Sequence, residues 1–447
     1  MRHRMTTAPR PNVIPGSDLE AKTVRTLLLR LLPFLFLLYV VNYLDSINVG
    51  FAALQMRGQL GFSDKVFGTG FGIFFWGYLL LQVPSNLALA KVGARRWMAG
   101  IMVLWGVVSC CMILVRTVHG FYALRFVLGA AEAGFFPGII LYLKNWFPAT
   151  ARARAVAWFM TANPLAGVVG GPISGALLGL HQAGLAGWQW LFILEGLPAI
   201  FLAVVVLLTL KDHPQDAHWL NTEQKTWLVG TLEWEHQQQA AVKATDLWAA
   251  FLDWRVWLMT IVYFGLTASA YGLILWMPNY IHSLSSLSNF GIGVVSVIPY
   301  IATAAAMVLV GMRSDRTRKH RLHLAGSAFL ATIFLLIAAQ MHSIVPGLTF
   351  VSLALMATFS MQGPFWATST SFLGGTAAAA GIAIINSLGN LGGYFGPEII
   401  GLRRSAGGGF RGGMLIISVC LALAGFVSLV VRARQQPASP SASNPLQ

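Results

Sequence analysis

The chain has 447 residues, of which 56% are apolar and 10% charged, and its mean hydropathy is +0.67. Chains that fold in water carry about 25% charged residues, so this one lacks the charge to cover a soluble surface. A soluble enzyme, a nucleic-acid binder and a secreted disulfide scaffold are all disfavoured, and the solvent that fits is lipid. The net charge of +15 would suggest nucleic acid in a soluble chain. Here the basic residues lie between apolar stretches, which points elsewhere.

In chain order, residues 1–26 are polar and Pro-containing, with no short apolar region or small-residue cleavage site, and are expected to form a cytoplasmic tail. Twelve helices, α1 to α12, are predicted at about 27–49, 66–90, 96–116, 120–143, 153–179, 189–210, 256–282, 290–311, 322–342, 346–369, 378–401 and 412–432. An even number of crossings puts both termini on one side. With that side inside, the inner segments hold 23 Lys and Arg residues and the outer loops six, with Arg125 inside a helix. That asymmetry places both termini in the cytoplasm, and it accounts for the net charge. The absence of any N-x-[ST] sequon favours a bacterial inner membrane.

The longest polar stretch, 211–254, separates an N-terminal bundle (27–210) from a C-terminal bundle (255–432), which a second tail (433–447) follows. It reads as a solvated cytoplasmic tether. Asn221 and Gln224 have capping-box spacing for a short helix, whose Trp227, Leu228 and Leu232 are expected on the membrane surface. Cys110, Cys111 and Cys420 all fall in apolar stretches, which argues against a disulfide framework.

The two bundles are related. NLALAKVGARR (86–96) matches GMRSDRTRKHR (311–321) at an offset of 225, and Gly171-Pro172 matches Gly396-Pro397 at the same offset. Such an internal repeat is the signature of a transporter whose substrate sits near the midplane between two rocking halves.

At these residues the chain resembles the major facilitator superfamily. Gly311-x-x-x-Asp315-Arg316-x-x-Lys319 matches that superfamily's signature loop. Within it the chain is similar to the anion:cation symporters of the tartrate, phthalate and sugar-acid type. The resemblance is carried by Asn42-Tyr43-Leu44-Asp45, Val83-Pro84-Ser85-Asn86, Val92-Gly93-Ala94-Arg95-Arg96-Trp97, Arg125-Phe126 with Glu132-Ala133-Gly134-Phe135-Phe136-Pro137-Gly138, Glu195-Gly196-Leu197-Pro198 and Asn386-Ser387-Leu388-Gly389-Asn390. It implies an all-α fold of two six-helix halves, alternating access, and proton-driven import of a small carboxylate. One departure stands out: the family has Arg after the helix-1 Asp, where this chain has Ser46.

Charge inside the apolar helices points to function without the family. A charged side chain at a helix centre costs about 2.5–3.5 kcal/mol, so Asp45, Arg125 and Glu132 must pair or line a cavity. The repeat puts Ala270, Phe350 and Ala357 at the equivalent positions of the second half, so the fold does not require these charges. Arg125 and Glu132, seven residues apart, share a face of α4 about 10 Å apart. Arg125 is expected to bind the substrate carboxylate. Asp45 would be its counter-ion and a proton site, and Glu132 a second proton site. The alternative is a structural Arg–Asp pair with a Glu132 that stays protonated.

Ser46, Tyr43, Tyr78, Asn163, Trp366, Asn386 and Asn390 are candidate lining residues, although each amide is as readily a helix–helix hydrogen bond. Ser46 in place of Arg favours a monoanion, or a polyol acid that bonds to its hydroxyl. Glu195 and Glu398 lie near outer helix ends, where a carboxylate reaches water, and are expected to be structural. Arg95, Asp315 and Arg316 are expected at the inner gate. Ala90, where an acid is usual, weakens the first-half latch and favours the state open to the cytoplasm. Gly167, Gly171 and Gly175 form a small-residue face for close helix approach.

No metal-ligand cluster, nucleophile–base arrangement or phosphate loop occurs in the sequence, so neither an enzyme nor a cofactor is expected. The expected partners are a small carboxylate, protons and the bilayer, with a monomer as the working unit. The competing reading keeps the fold and makes it a proton antiporter exporting a cationic drug; Arg125 opposes that, since a cation would meet like charge.

Overall fold

The computed structural model describes residues 18–240, 251–372 and 377–431. The expected tails over 1–17 and 433–447, and linker residues 241–250, lie outside the described residues. Those described are helical and include no strand. In lipid a helix is the open-chain form that satisfies every backbone N–H and C=O within itself.

The twelve crossings are α1 Asp18–Leu60, α2 Asp64–Val92, α3 Ala94–Cys111, α4 Val118–Glu132 with Phe135–Trp146, α5 Ala149–Met160 with Ala162–Leu177, α6 Gly187–Thr209, α7 Trp254–Leu284, α8 Asn289–Val295 with Val297–Thr317, α9 His320–Ala338, α10 Ile344–Ser360 with Gln362–Phe372, α11 Ala377–Gly389 with Gly392–Arg403, and α12 Gly409–Val430. Ten runs are long and apolar enough to cross a membrane. Gly381–Val430 is one such run that folds back at Gly407, where φ is 81°, and so contributes two crossings. Helix α5 is not among the ten; its Arg152, Arg154, Asn163, Pro164 and Pro172 and its many glycines make it less apolar than the others. Helix α1 begins at Asp18 instead of 27 because Lys22 pairs with Asp18 at 2.7 Å and the Thr23 hydroxyl donates to Leu19 O, which extends the helix into polar sequence.

Packing repeats between the halves. In the first, α2 lies on α4, α3 on α6, and α1 on α5 and α6; in the second, α8 lies on α10, α9 on α12, and α7 on α11 and α12. Across the divide α2 packs on α11 and α5 on α8, pairs that the repeat interchanges. The α5–α8 approach depends on the small-residue face: a Cβ on Gly171 would sit 2.6 Å from Gly293 O, so any side chain would push the halves apart.

The halves are joined mainly at the face opposite the termini. There Asn279 Nδ2 donates to Gly50 O at 3.1 Å, Trp276 meets Phe71 with ring centroids 5.3 Å apart, and Arg404 Nε lies 3.2 Å from Asp64 Oδ2. Arg57 pairs with the other Asp64 oxygen at 3.2 Å, and Arg404 also lies over the Phe410 ring at 3.9 Å.

The linker departs from expectation. The capping box forms, with Gln224 N donating to Asn221 Oδ1 at 2.8 Å and Asn221 N to Gln224 Oε1 at 3.3 Å, and a helix follows over Thr222–Ala240. Trp227 and Leu228 are not on the membrane surface, however; they are buried in the core of the first half, with Leu232 against it. Glu235 explains the docking. It accepts from Ala149 N at the start of α5 at 2.7 Å and pairs with Arg152 at 2.8 Å, meeting the positive end of that helix. The described linker is therefore clamped to one half and is not a loose tether.

Candidate functional site

Two faces of α1 sort the candidates. Asn42 and Ser46, one turn apart, point toward α4; Asp45 and Asn48, three apart, point toward α3. On the first face Asn42 Nδ2 donates to Glu132 Oε2 at 2.7 Å, and the Ser46 hydroxyl reaches the same oxygen at 3.0 Å. Ser46 also lies 3.1 Å from Asn42 O, so its single hydrogen is shared between two acceptors within the protein. The hydroxyl expected to greet a substrate is already occupied by Glu132. Glu132 is 3% exposed, and its Oε1 has no partner. Tyr39, Tyr78 and, from the second half, Tyr271 face it.

On the second face Asp45 is fully buried. Its Oδ1 accepts from the Ser109 hydroxyl and, at 3.1 Å, from Asn48 Nδ2. The expected direct pairing of Asp45 with Arg125 is not formed: the two are not within ion-pair distance, and Asp45 takes neutral donors instead. Arg125 is 1% exposed. It donates from Nε to Gly70 O at 3.1 Å, lies 5.0 Å from the centre of the Phe74 ring, and leaves Nη1 without a partner. A guanidinium held by one carbonyl and one ring face keeps most of its donor fork free for a carboxylate.

Other candidates gather where helices break. Glu132 is the last residue before the break in α4, Asn163 follows the break of α5 at Thr161, and Asn386 and Asn390 adjoin the break of α11 before Gly392. Broken helices near the midplane expose polar backbone at a binding site. Asn163 lines a small cavity between the halves with Thr303 of α8 and Gln362 of α10. Asn390 Nδ2 lies 3.4 Å from Asn386 Oδ1, and the intervening Ser387 reaches Gln82 of α2 at 3.4 Å. Trp366 sits against Tyr263 and Phe365 at centroid distances of 5.4 and 5.0 Å. Tyr43 is buried in the apolar core, and Tyr78 stacks loosely on Phe74 at 6.3 Å.

The gate residues do not meet one another. Arg95 N donates to Asp212 Oδ1 of the linker at 3.2 Å and its side chain to Leu207 O of its own half. Asp315 lies 4.0 Å from His320, and Arg316 is exposed.

Two groups hold places that their sequence context does not announce. Asn42 shares a face with Ser46, as their one-turn spacing signals, and meets Glu132 there. Glu195, expected to reach water, is 5% exposed and accepts from the Ser174 hydroxyl at 2.7 Å.

Comparison with known proteins places the chain among transporters. Residues 35–397 match the family description Major Facilitator Superfamily. A protein of Agrobacterium vitis named "Putative tartrate transporter" is 48% identical over 93% of this chain and 96% of its own length. A "Quinolone resistance transporter" of Acinetobacter baumannii is 38% identical over the same shares. Among solved structures, a bacterial homologue of the human lysosomal transporter Spinster, in an inward-facing and occupied conformation, superposes with a TM-score of 0.73. It covers 93% of this chain and 97% of its own at 16% identity.

Proposed function

The chain belongs to the Major Facilitator Superfamily, and from that premise we propose that it imports a small organic anion, of the tartrate or sugar-acid type, by symport with protons. It is a multi-pass membrane transporter of a small molecule and not an enzyme. The observation that carries the anion reading is the buried Arg125 guanidinium, which has no carboxylate beside it and an unpartnered Nη1. Glu132 and Asp45 supply the proton sites. Each is buried, is hydrogen-bonded by neutral groups and retains one unpartnered oxygen.

Transport proceeds by alternating access. The bundles 27–210 and 255–432 rock as units about the α2–α11 and α5–α8 contacts. The arrangement described, joined opposite the termini, is the one open to the cytoplasm. The Lys and Arg asymmetry supports cytoplasmic termini in a bacterial inner membrane. A chain that contains both walls of its own cavity supports a monomer.

The test is uptake into liposomes. A hydrogen bond to a charged group contributes about 1.5–3 kcal/mol. Arg125→Lys, which keeps the charge and loses the fork, should therefore raise the KM for tartrate by roughly ten- to a hundredfold with the protein still folded. An unchanged KM would remove Arg125 from the binding site. The quinolone-resistance relative supports a second reading, export of a cationic drug against protons. Proton release on adding a lipophilic cation, with no uptake of any carboxylate, would establish it.

A further inference from the structure

Behind α1, on the side away from Glu132, five polar side chains from four helices of the first half meet: Asp45 and Asn48 of α1, Ser109 of α3, Ser174 of α5 and Glu195 of α6. Both carboxyls are nine-tenths or more buried, as is Asn48. Their donors are few. The Ser109 hydroxyl and Asn48 Nδ2 both go to Asp45 Oδ1, and the Ser174 hydroxyl goes to Glu195 Oε1. The Asn48 side chain also faces Glu195. Its nitrogen must be the atom turned to Asp45, since a carboxylate oxygen can only accept. That leaves three orphans, Asp45 Oδ2, Glu195 Oε2 and Asn48 Oδ1, and all three are acceptors.

A buried cluster with surplus acceptors and no surplus donor is short of a hydrogen. Neither carboxyl has a basic side chain within ion-pair distance. The titratable groups within electrostatic reach of the pair are Cys110, beside Asp45 on α3, and Arg125 and Glu132 of α4 beyond Asp45. Two unpaired carboxylates in such a place would each carry a desolvation penalty of several kcal/mol. One proton on Glu195 removes one of those charges and converts Oε2 from acceptor to donor. It also brings a donor to a cluster whose unpartnered atoms are all acceptors.

We propose that Glu195 is a proton-carrying residue of this transporter, neutral in the described state with its O–H donated to Asn48 Oδ1, and linked through Asn48 to Asp45. This gives the first half a proton store separated from the substrate by the thickness of α1. When the site empties, the Glu195 O–H bond breaks, its electron pair stays on Oε2, and the proton leaves to water. The inference deepens the symport reading and rests on it for the transport stoichiometry alone.

Infrared difference spectroscopy of the purified protein between acid and alkaline buffers, without substrate, reads protonated carboxyls directly by their C=O stretching band. Glu195→Gln should delete one such band while the protein stays folded, because the Gln amide offers Asn48 Oδ1 the same donor. Ser174→Ala, which removes the hydroxyl on Glu195 Oε1, should shift that same band. In liposomes Glu195→Gln should couple one proton fewer to each tartrate, read from the reversal potential, while tartrate exchange continues. Unchanged bands in both variants would overturn the proposal. So would a Glu195 band that appears only when sodium is withheld, since a metal cation would then fill the place given to the proton. If the unaltered protein moves no tartrate, the symport reading fails and the infrared result still decides the role of Glu195.

Discussion

The serine at position 46 changes what Glu132 can do. Where relatives of the resembled type carry Arg, this chain places a hydroxyl 3.0 Å from Glu132 Oε2, with the Asn42 amide on the same oxygen. Two neutral donors stabilise a carboxylate without pairing its charge, so in the proposed function the proton and the positive end of the site are held apart, on Glu132 and Arg125. An Arg at position 46 would reach Glu132 and pair with it, adding a second cation to the cavity. Ser46→Arg should therefore raise the preference for a dicarboxylate such as tartrate over a monocarboxylate such as gluconate by about tenfold, the worth of one charge-assisted hydrogen bond. The ratio of kcat/KM for the two acids measures it, and an unchanged ratio would show that position 46 does not face the substrate. Position 46 was legible from the sequence as an anomaly. Its partner was not, because that Glu132 and Ser46 meet is decided by how α4 lies on α1, eighty-six residues away in the chain.

Among the helices, the breaks are where polar chemistry concentrates. The interruptions of α4 after Glu132, of α5 at Thr161, of α10 at Met361 and of α11 between Gly389 and Gly392 fall on helices that the repeat pairs, α4 with α10 and α5 with α11; α8, broken at Ser296, has no broken counterpart in α2. Their crossings were read from apolar length alone. The breaks were not: Gly134 lies at that of α4 and Gly389 and Gly392 flank that of α11, but Thr161 and Met361 carry no local signal. The clearest link between helices is the Asp64–Arg404 pair, which ties the start of α2 to the end of α11 with both side chains largely buried. Removing one member of a buried ion pair costs about 3–5 kcal/mol. Asp64→Asn should therefore release the face opposite the termini. With spin labels on Gly58 and His282 in a cysteine-free background, the distance distribution across that face should shift to longer values. A distribution identical to that of the parent would mean that other contacts hold the face closed.

At the scale of the whole molecule, the twelve crossings, the two halves and the repeat were legible because each is written in composition or period. That Asp45, Arg125 and Glu132 lie buried was legible because charge inside an apolar helix demands a reason. The Asn48–Ser109–Ser174–Glu195 cluster was not: serine and asparagine are common as helix-to-helix bonds, and the burial of Glu195 is a product of α1, α3, α5 and α6 closing around it. The docked linker was hidden for the same reason, since Glu235 finds its partner at Ala149 on a helix distant in sequence. In the proposed function, an anion site at Arg125 and proton sites on the neighbouring helices share one moving half. The measurement that tests this most directly is tartrate accumulation by liposomes containing the purified protein under an inward proton gradient. The account predicts accumulation above the outside concentration that collapses when a protonophore is added. Uptake that merely equilibrates, with or without the gradient, would contradict it.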